Sequence, residues 1–149
     1  MTPAEPSGVA GIAQLIQLAL GPVFLISGVG VTLNVLTSRL ARIVDRARNI
    51  EAQLETTTDE ARARHHNESL DVAARRTRLI NAAITLTTLS ALFTAIVVVM
   101  LFSSAFTTID FSTAIAALFV TSMLCLAAAF LVFLVEVRVA TAALRIGRR

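Results

Sequence analysis

The sequence has no lysine, no tryptophan and no tyrosine, and it has a single cysteine, Cys125. One cysteine excludes an intramolecular disulfide and a metal cage built from cysteines, so we interpret Cys125 as a small packing residue in an apolar run. Without tryptophan or tyrosine, an aromatic belt at a membrane surface must come from phenylalanine. Phe102, Phe106 and Phe111 cluster around one short loop and are the candidates.

Charge is also scarce, since only 15% of the 149 residues are charged and 56% are hydrophobic. The mean hydropathy is +0.77, and a water-soluble domain of this size could not bury so much apolar surface. All thirteen basic residues are arginines, and ten acidic residues accompany them. Nucleic-acid binding is not indicated, because it requires a basic face with few neighbouring acids. The composition predicts an integral membrane protein.

Three apolar segments are each long enough to cross a bilayer, which takes about 20 helical residues. They cover residues 12–36, 79–106 and 113–135. The amino terminus has no arginine or lysine before the first segment and so lacks the positive region of a signal peptide, and we expect it to be retained. The predicted fold is an all-α membrane protein with three transmembrane helices in one domain, residues 1–149.

The arginines lie on one side of the predicted spans. Nine separate the first span from the second, and four follow the third: Arg138, Arg145, Arg148 and Arg149. Because positively charged flanks remain in the cytoplasm, we expect the amino terminus outside and the carboxyl terminus inside, in the bacterial inner membrane. The tail, residues 136–149, is amphipathic, and its four arginines favour anionic lipid head groups at about 1 kcal/mol each.

The central block, residues 37–78, has the pattern of two helical arms. Thr57 with Glu60 forms a capping box that begins the second arm. Apolar residues of the first arm recur at spacings of three and four, the heptad pattern of a helix that packs on a partner: Leu36, Leu40, Ile43, Ala47, Ile50 and Leu54. The block is therefore predicted to form an antiparallel helical hairpin in the cytoplasm.

Two adjoining segments carry a resemblance to a known family. The run IQLALGPVFLISGVG, residues 16–30, and the run LNVLTSRLARIVDRARNIE, residues 33–51, resemble a bacterial membrane family catalogued as domain of unknown function number twenty-seven twenty-one. The resemblance extends over about residues 16–139. It implies a three-span protein without an assigned activity and supplies no catalytic residues. Its most specific part is the cluster Asn34, Arg39, Arg42, Asp45 and Arg46.

The polar and glycine residues of the first span share one face of the helix. Such a face should avoid lipid, because polar groups in a membrane need a partner helix or water. In one interpretation, the glycines permit close helix approach and the glutamines bond across the bundle. In the other, several subunits line a pore with this face, and arginines at its inner mouth favour anions. The face consists of Gln14, Gln17, Gly21, Gly28 and Thr32, continued by Arg39, Arg42 and Arg46.

Further polar residues are interpreted as structural. Asp45 can pair with arginines across turns of its own helix or on the opposite arm. In the second span, Thr87, Ser90 and Thr94 share a side and are expected to bond to carbonyls of their own helix. The third span carries a ridge of small residues suited to tight packing: Thr113, Ala117, Thr121, Cys125 and Ala128.

Glu136 follows the third span and is expected to point into the bundle. Its predicted partner is an arginine at the root of the arms, such as Arg39, Arg42 or Arg78. A structural ion pair is the first interpretation, and a carboxylate that handles protons or cations is the second.

Catalytic patterns are lacking: no nucleophile is paired with a base, and the sequence has no phosphate-binding glycine loop and no paired catalytic carboxylates. His65 and His66 are adjacent and do not share a helix face. We expect no enzyme, cofactor or metal site. Because three spans cannot enclose a conduit, we expect a homo-oligomer. The first hypothesis is a channel-like protein whose first span lines the axis, and the alternative is a non-conducting scaffold or regulatory protein whose hairpin binds a partner or anionic lipid.

Overall fold

A computed structural model describes the backbone of residues 8–55, 60–107 and 110–146, and side chains within residues 11–52, 70–104, 106–107 and 110–140. Three long α-helices make up most of these residues. Helix α1 is Gly8–Glu55, α2 is Glu60–Ser103 and α3 is Ser112–Ile146. A 3-10 turn, Ser104–Phe106, follows α2, so the last residues of the predicted second span leave the α-helix.

All three helices are long and apolar enough to cross a membrane. The candidate spans fall within Gly11–Ala52, Leu70–Ser103 and Ser112–Ala140. Large apolar side chains such as Phe24, Val99 and Leu131 are exposed along them, which in a membrane protein indicates contact with lipid acyl chains. Within the described residues, the predictions of an all-helical fold and of three helices long and apolar enough to cross a membrane are confirmed.

Helices α1 and α2 are much longer than a bilayer requires. At 1.5 Å per residue, the 48 residues of α1 and the 44 of α2 extend for about 72 and 66 Å, whereas the hydrocarbon core is about 30 Å thick. Pro22 lies inside α1, and the helix continues past it. The first span and the first arm are therefore one helix. The second helix begins at Glu60, and Thr57 of the predicted capping box lies outside the described residues.

The helices pack through residues spaced by three, four or seven. Helix α2 contacts both α1 and α3. On α1, Val29, Leu36 and Ile43 are buried at intervals of seven, so the heptad seam predicted for the arm also runs through the span. The seam of α2 consists of Ile80, Ala83, Thr87, Ser90, Thr94 and Val97. The seam of α3 consists of Ser122, Ala129 and Glu136.

The short segment before α3 is closed by a side-chain cap. The amide of Ser112 donates to the carboxylate of Asp110 at 2.9 Å, and the amide of Ile115 donates to the Phe111 carbonyl at 2.9 Å. The first bond satisfies one of the amides at the start of a helix that have no partner within it, and the second is the first regular bond of α3, accepted by the residue before the helix. Hydrogen bonds from Ser112 lower the pKa of Asp110, and the bond from the backbone amide has a larger effect than the bond from the side chain.

Candidate functional site

Glu136 is a fully buried carboxylate held by two arginines. Its Oε2 accepts a hydrogen bond from Nη1 of Arg39 at 3.1 Å. Its Oε1 accepts from Nε of Arg76 at 2.9 Å and lies 2.8 Å from Nη2 of the same side chain. Both oxygens are thus occupied by charged donors. We call Arg39, Arg76 and Glu136 the arginine–glutamate junction.

The junction connects all three helices at one level, because Arg39 belongs to α1, Arg76 to α2 and Glu136 to α3. Arg39 lies three residues after the predicted first span, Arg76 three before the second, and Glu136 directly after the third. The guanidinium of Arg39 also stacks over the Phe133 ring, with its carbon 4.9 Å from the ring centre, a cation–π contact that fixes its orientation. The junction therefore lies at the predicted boundary between the three spans and the segments that follow or precede them.

Burial within the junction is uneven. The carboxylate of Glu136 is 0% exposed, whereas the side chains of Arg39 and Arg76 are 40% and 25% exposed. A buried charge costs several kcal/mol unless it is paired and hydrogen-bonded, and among the described residues the two arginines meet this condition for Glu136. The arginines reach the protein surface and can still contact solvent or head groups.

The prediction that Glu136 pairs with an arginine at the root of the arms is confirmed, and of the three arginines named as examples the partner is Arg39. Arg42 and Arg78 are exposed, whereas Arg76, which sequence analysis missed, supplies the second cation. A signal for Arg76 was present, because it precedes the buried Ile80 by four residues and Ala83 by seven. Those spacings place it on the packing seam of α2, and Arg78 lies off this seam.

A second buried polar group joins α2 to α3 closer to the middle of the spans. The Ser122 hydroxyl lies 3.0 Å from the Ser90 hydroxyl and 2.6 Å from the Thr94 hydroxyl, and it donates to the Ser90 carbonyl at 2.8 Å. Thr94 also donates to that carbonyl at 2.9 Å. The predicted bonding within α2 is present, but Ser122 makes the group an interhelical contact.

This contact shows which face of α3 packs within the single chain. The predicted ridge does not lie on that face, because Thr113, Ala117 and Thr121 are exposed and Cys125 and Ala128 are half-buried; packing of the ridge against another copy stays a prediction. Ser122, Ala129 and Glu136 face the bundle instead. Small residues occur all around α3, so their presence alone could not identify the face that packs.

Replacing Ser122 by alanine is expected to lower the free energy of unfolding by about 1–2 kcal/mol, because interhelical hydrogen bonds in membranes are worth roughly 0.6 to 1.7 kcal/mol each and buried partners are left unsatisfied. Unfolding of the purified protein in mixed micelles would measure this change in the free energy of unfolding. The matched control is Thr121→Ala. The Thr121 hydroxyl donates to the Ala117 carbonyl of its own helix, so its removal should change the free energy of unfolding by less than about 0.5 kcal/mol. Equal effects of the two substitutions would contradict the assigned packing face.

The polar face of α1 does not pack within the single chain. Gln14, Gln17, Gly21 and Gly28 are exposed, and Thr32 is half-buried with its hydroxyl bonded to the Gly28 carbonyl at 3.0 Å. Apart from the adjacent residues and backbone of α1 itself, no heavy atom of the described residues lies within 4 Å of a methyl group placed on Gly21 or Gly28. These residues are not core residues of the three-helix bundle, and their lining of an oligomer axis stays a prediction.

The remaining predicted charges lie away from the buried core. Arg42, Asp45 and Arg46 are exposed on the first arm. Arg138 is exposed on α3, and contact with anionic lipid through it stays a prediction. Arg145, Arg148 and Arg149 fall outside the described side chains, as do His65 and His66.

Comparison with known proteins identifies one family. A family model described as a protein of unknown function, DUF2721, matches residues 19–146, which is most of the chain and includes the whole junction. The match confirms the resemblance found in residues 16–139. Neither the curated proteins nor the solved structures yield a match.

Proposed function

We propose that this protein, which belongs to the DUF2721 family of unknown function, is a non-enzymatic membrane scaffold that holds two helical arms in a fixed position in the cytoplasm. In this proposal, residues 37–78 form an antiparallel hairpin continuous with the first two spans. The observation that carries it is the arginine–glutamate junction, which ties both arms to α3 where they leave the bilayer.

Continuous helices make the arms extensions of the membrane bundle. The arm residues of α1 follow its span without a break, and those of α2 precede its span in the same way. A rotation or translation of either arm would separate Arg39 or Arg76 from the buried Glu136 and leave a charge uncompensated. The junction therefore favours one geometry of the arms.

The arms present a mixed surface to the cytoplasm in this proposal. A groove runs between them, with apolar side chains at its floor and two cations and two anions along it. Such a surface suits a protein partner, because the apolar part provides affinity and the charges set orientation. The groove is lined by Val44, Ala47, Arg48 and Glu51 of α1 and by Leu70, Asp71, Ala73, Ala74, Thr77 and Arg78 of α2.

A channel-like homo-oligomer is the second candidate, and the exposed face of Gln14 and Gln17 favours it. Glutamines within a span need a hydrogen-bonding partner or water. Neighbouring copies of the chain would provide the partner, and an aqueous axis would provide the water. The scaffold is preferred because Arg39, the arginine nearest the predicted inner mouth, is bonded to Glu136. An anion-favouring ring would have to rely on Arg42 and Arg46, farther along the arm.

One pair of variants separates these candidates. A photo-crosslinking residue replacing Arg48, in the groove, is expected to capture the same specific protein in repeated experiments in cells. The same residue replacing Asn49, which is exposed about 100° around the helix, should capture it at least several times less. Purified wild-type protein in planar bilayers is expected to pass no current. Reproducible unitary currents, together with crosslinks only to copies of this chain, would favour the channel and contradict the scaffold.

A further inference from the structure

We propose that the arginine–glutamate junction binds the phosphate of an anionic phospholipid, in which the guanidinium of Arg39 is the main donor. The proposal rests on the proposed function in one respect: the orientation of the arms given there places the bound lipid in the cytoplasmic leaflet. It assigns the junction a ligand in addition to its role in joining the three helices.

The charges of the junction do not cancel. Two guanidinium groups and one carboxylate leave a net charge of +1, and both carboxylate oxygens are already occupied. Arg39 uses only Nη1 on Glu136, whereas Arg76 uses Nε and Nη2. Since a guanidinium has five N–H donors in a fixed fork, most donors of Arg39 point elsewhere. Its side chain is 40% exposed, so an anion can reach them.

Arg39 is also held in position before any ligand arrives. Its contact with Phe133 on one side and its hydrogen bond to Glu136 on the other restrain the side chain. An arginine restrained in this way loses less conformational entropy on binding than a free surface arginine. Arginine forks match the geometry of phosphate oxygens and often bind them through two hydrogen bonds.

The surroundings favour a lipid phosphate over free phosphate. Val35 lies one helical turn before Arg39 on the same face and is 48% exposed. Arg42, also exposed, lies nearly one turn after Arg39 on the arm side. An apolar surface and a basic surface thus follow each other along α1 at the end of the predicted span. A phospholipid fits this order of surfaces along the helix, with its acyl chains along Val35 and its phosphate at Arg39 and Arg42.

The test compares single substitutions that remove the same charge. Purified protein in detergent micelles would be supplied with phosphatidylglycerol, with phosphatidylcholine or with inorganic phosphate, and bound lipid counted by native mass spectrometry. Arg39→Met is expected to reduce the preference for phosphatidylglycerol over phosphatidylcholine at least about fivefold, because the charge-assisted hydrogen bonds between its guanidinium and the phosphate are lost. In the Arg39→Met variant, Glu136 still pairs one to one with Arg76. Arg75→Met removes an exposed arginine next to Arg76 and should change the preference less than about twofold.

Several outcomes would overturn the proposal. Equal losses in Arg39→Met and Arg75→Met would show general attraction to positive charge rather than a site. Inorganic phosphate that displaces phosphatidylglycerol at equal concentration would show that the acyl chains add nothing. If Arg39→Met does not fold, the wild-type protein decides: a photoactivatable phosphatidylglycerol should label the segments around Val35 or Phe133 more than a matched phosphatidylcholine does. Equal labelling by the two lipids would contradict the site.

Discussion

Removal of both arginines of the junction is expected to destabilise the folded protein by about 3–5 kcal/mol, the usual cost when a buried charge loses its partners. In Arg39→Met with Arg76→Met, the carboxylate of Glu136 remains fully buried and has no cation beside it. Either single variant should cost less, because one arginine still bonds to the carboxylate. Unfolding of purified protein in mixed micelles, followed by circular dichroism, measures the difference.

A third substitution provides the control for that result. Adding Glu136→Met removes the uncompensated charge, and the triple variant should regain the stability of the wild type or exceed it, as replacement of buried ion pairs by apolar residues often does. A triple variant as unstable as the double variant would show that lost packing, rather than charge, causes the effect. A stable double variant would contradict the burial of Glu136 between the helices.

The triple variant also separates stability from function. Methionine side chains can pack in several arrangements, so they would keep the helices together without fixing their relative positions. The charged junction favours one register of α1, α2 and α3, since both oxygens of Glu136 must meet donors on two different helices. On the scaffold proposal, the triple variant would fold but lose crosslinking from the position of Arg48.

Much of the fold could be predicted because it depends on local properties of the chain. Length and hydropathy define the three membrane-crossing helices, and the heptad spacing around Leu36 and Ile43 identifies residues that are buried. The seam was recognised only from Leu36 onward. Within the span, apolar residues occur on every face, and the positions that pack do not differ in hydropathy from those that meet lipid.

The candidate site was predicted only in part, because its contacts depend on the relative rotation of helices distant in sequence. Glu136 was predicted to point into the bundle and form an ion pair because it lies near the end of the side of α3 that carries the small-residue ridge, and Arg39 was among its named partners. Arg76 and Arg78 could be distinguished only after the seam of α2 was known. The same reason explains why Thr121 was assigned to the packing face in place of its neighbour Ser122.

The proposals all depend on the side of the membrane on which the arms lie. The distribution of the thirteen arginines predicts that the arms and the carboxyl terminus lie in the cytoplasm, and that the short segment that contains Asp110 lies outside. Glu51 on the first arm and Asp110 before α3 are both exposed, so cysteines at these positions can react with a reagent that does not cross membranes. Cys125→Ala removes the native thiol from the background.

Labelling of intact bacterial cells by a membrane-impermeant maleimide is the most direct test. The Asp110→Cys protein is expected to react fully in intact cells, and the Glu51→Cys protein only after the cells are lysed, with a difference of at least about tenfold, because translocation of the two arms would carry nine arginines across the bilayer. Labelling of Glu51→Cys in intact cells, with protection of Asp110→Cys, would place the arms outside and contradict both the scaffold and the lipid site in the cytoplasmic leaflet.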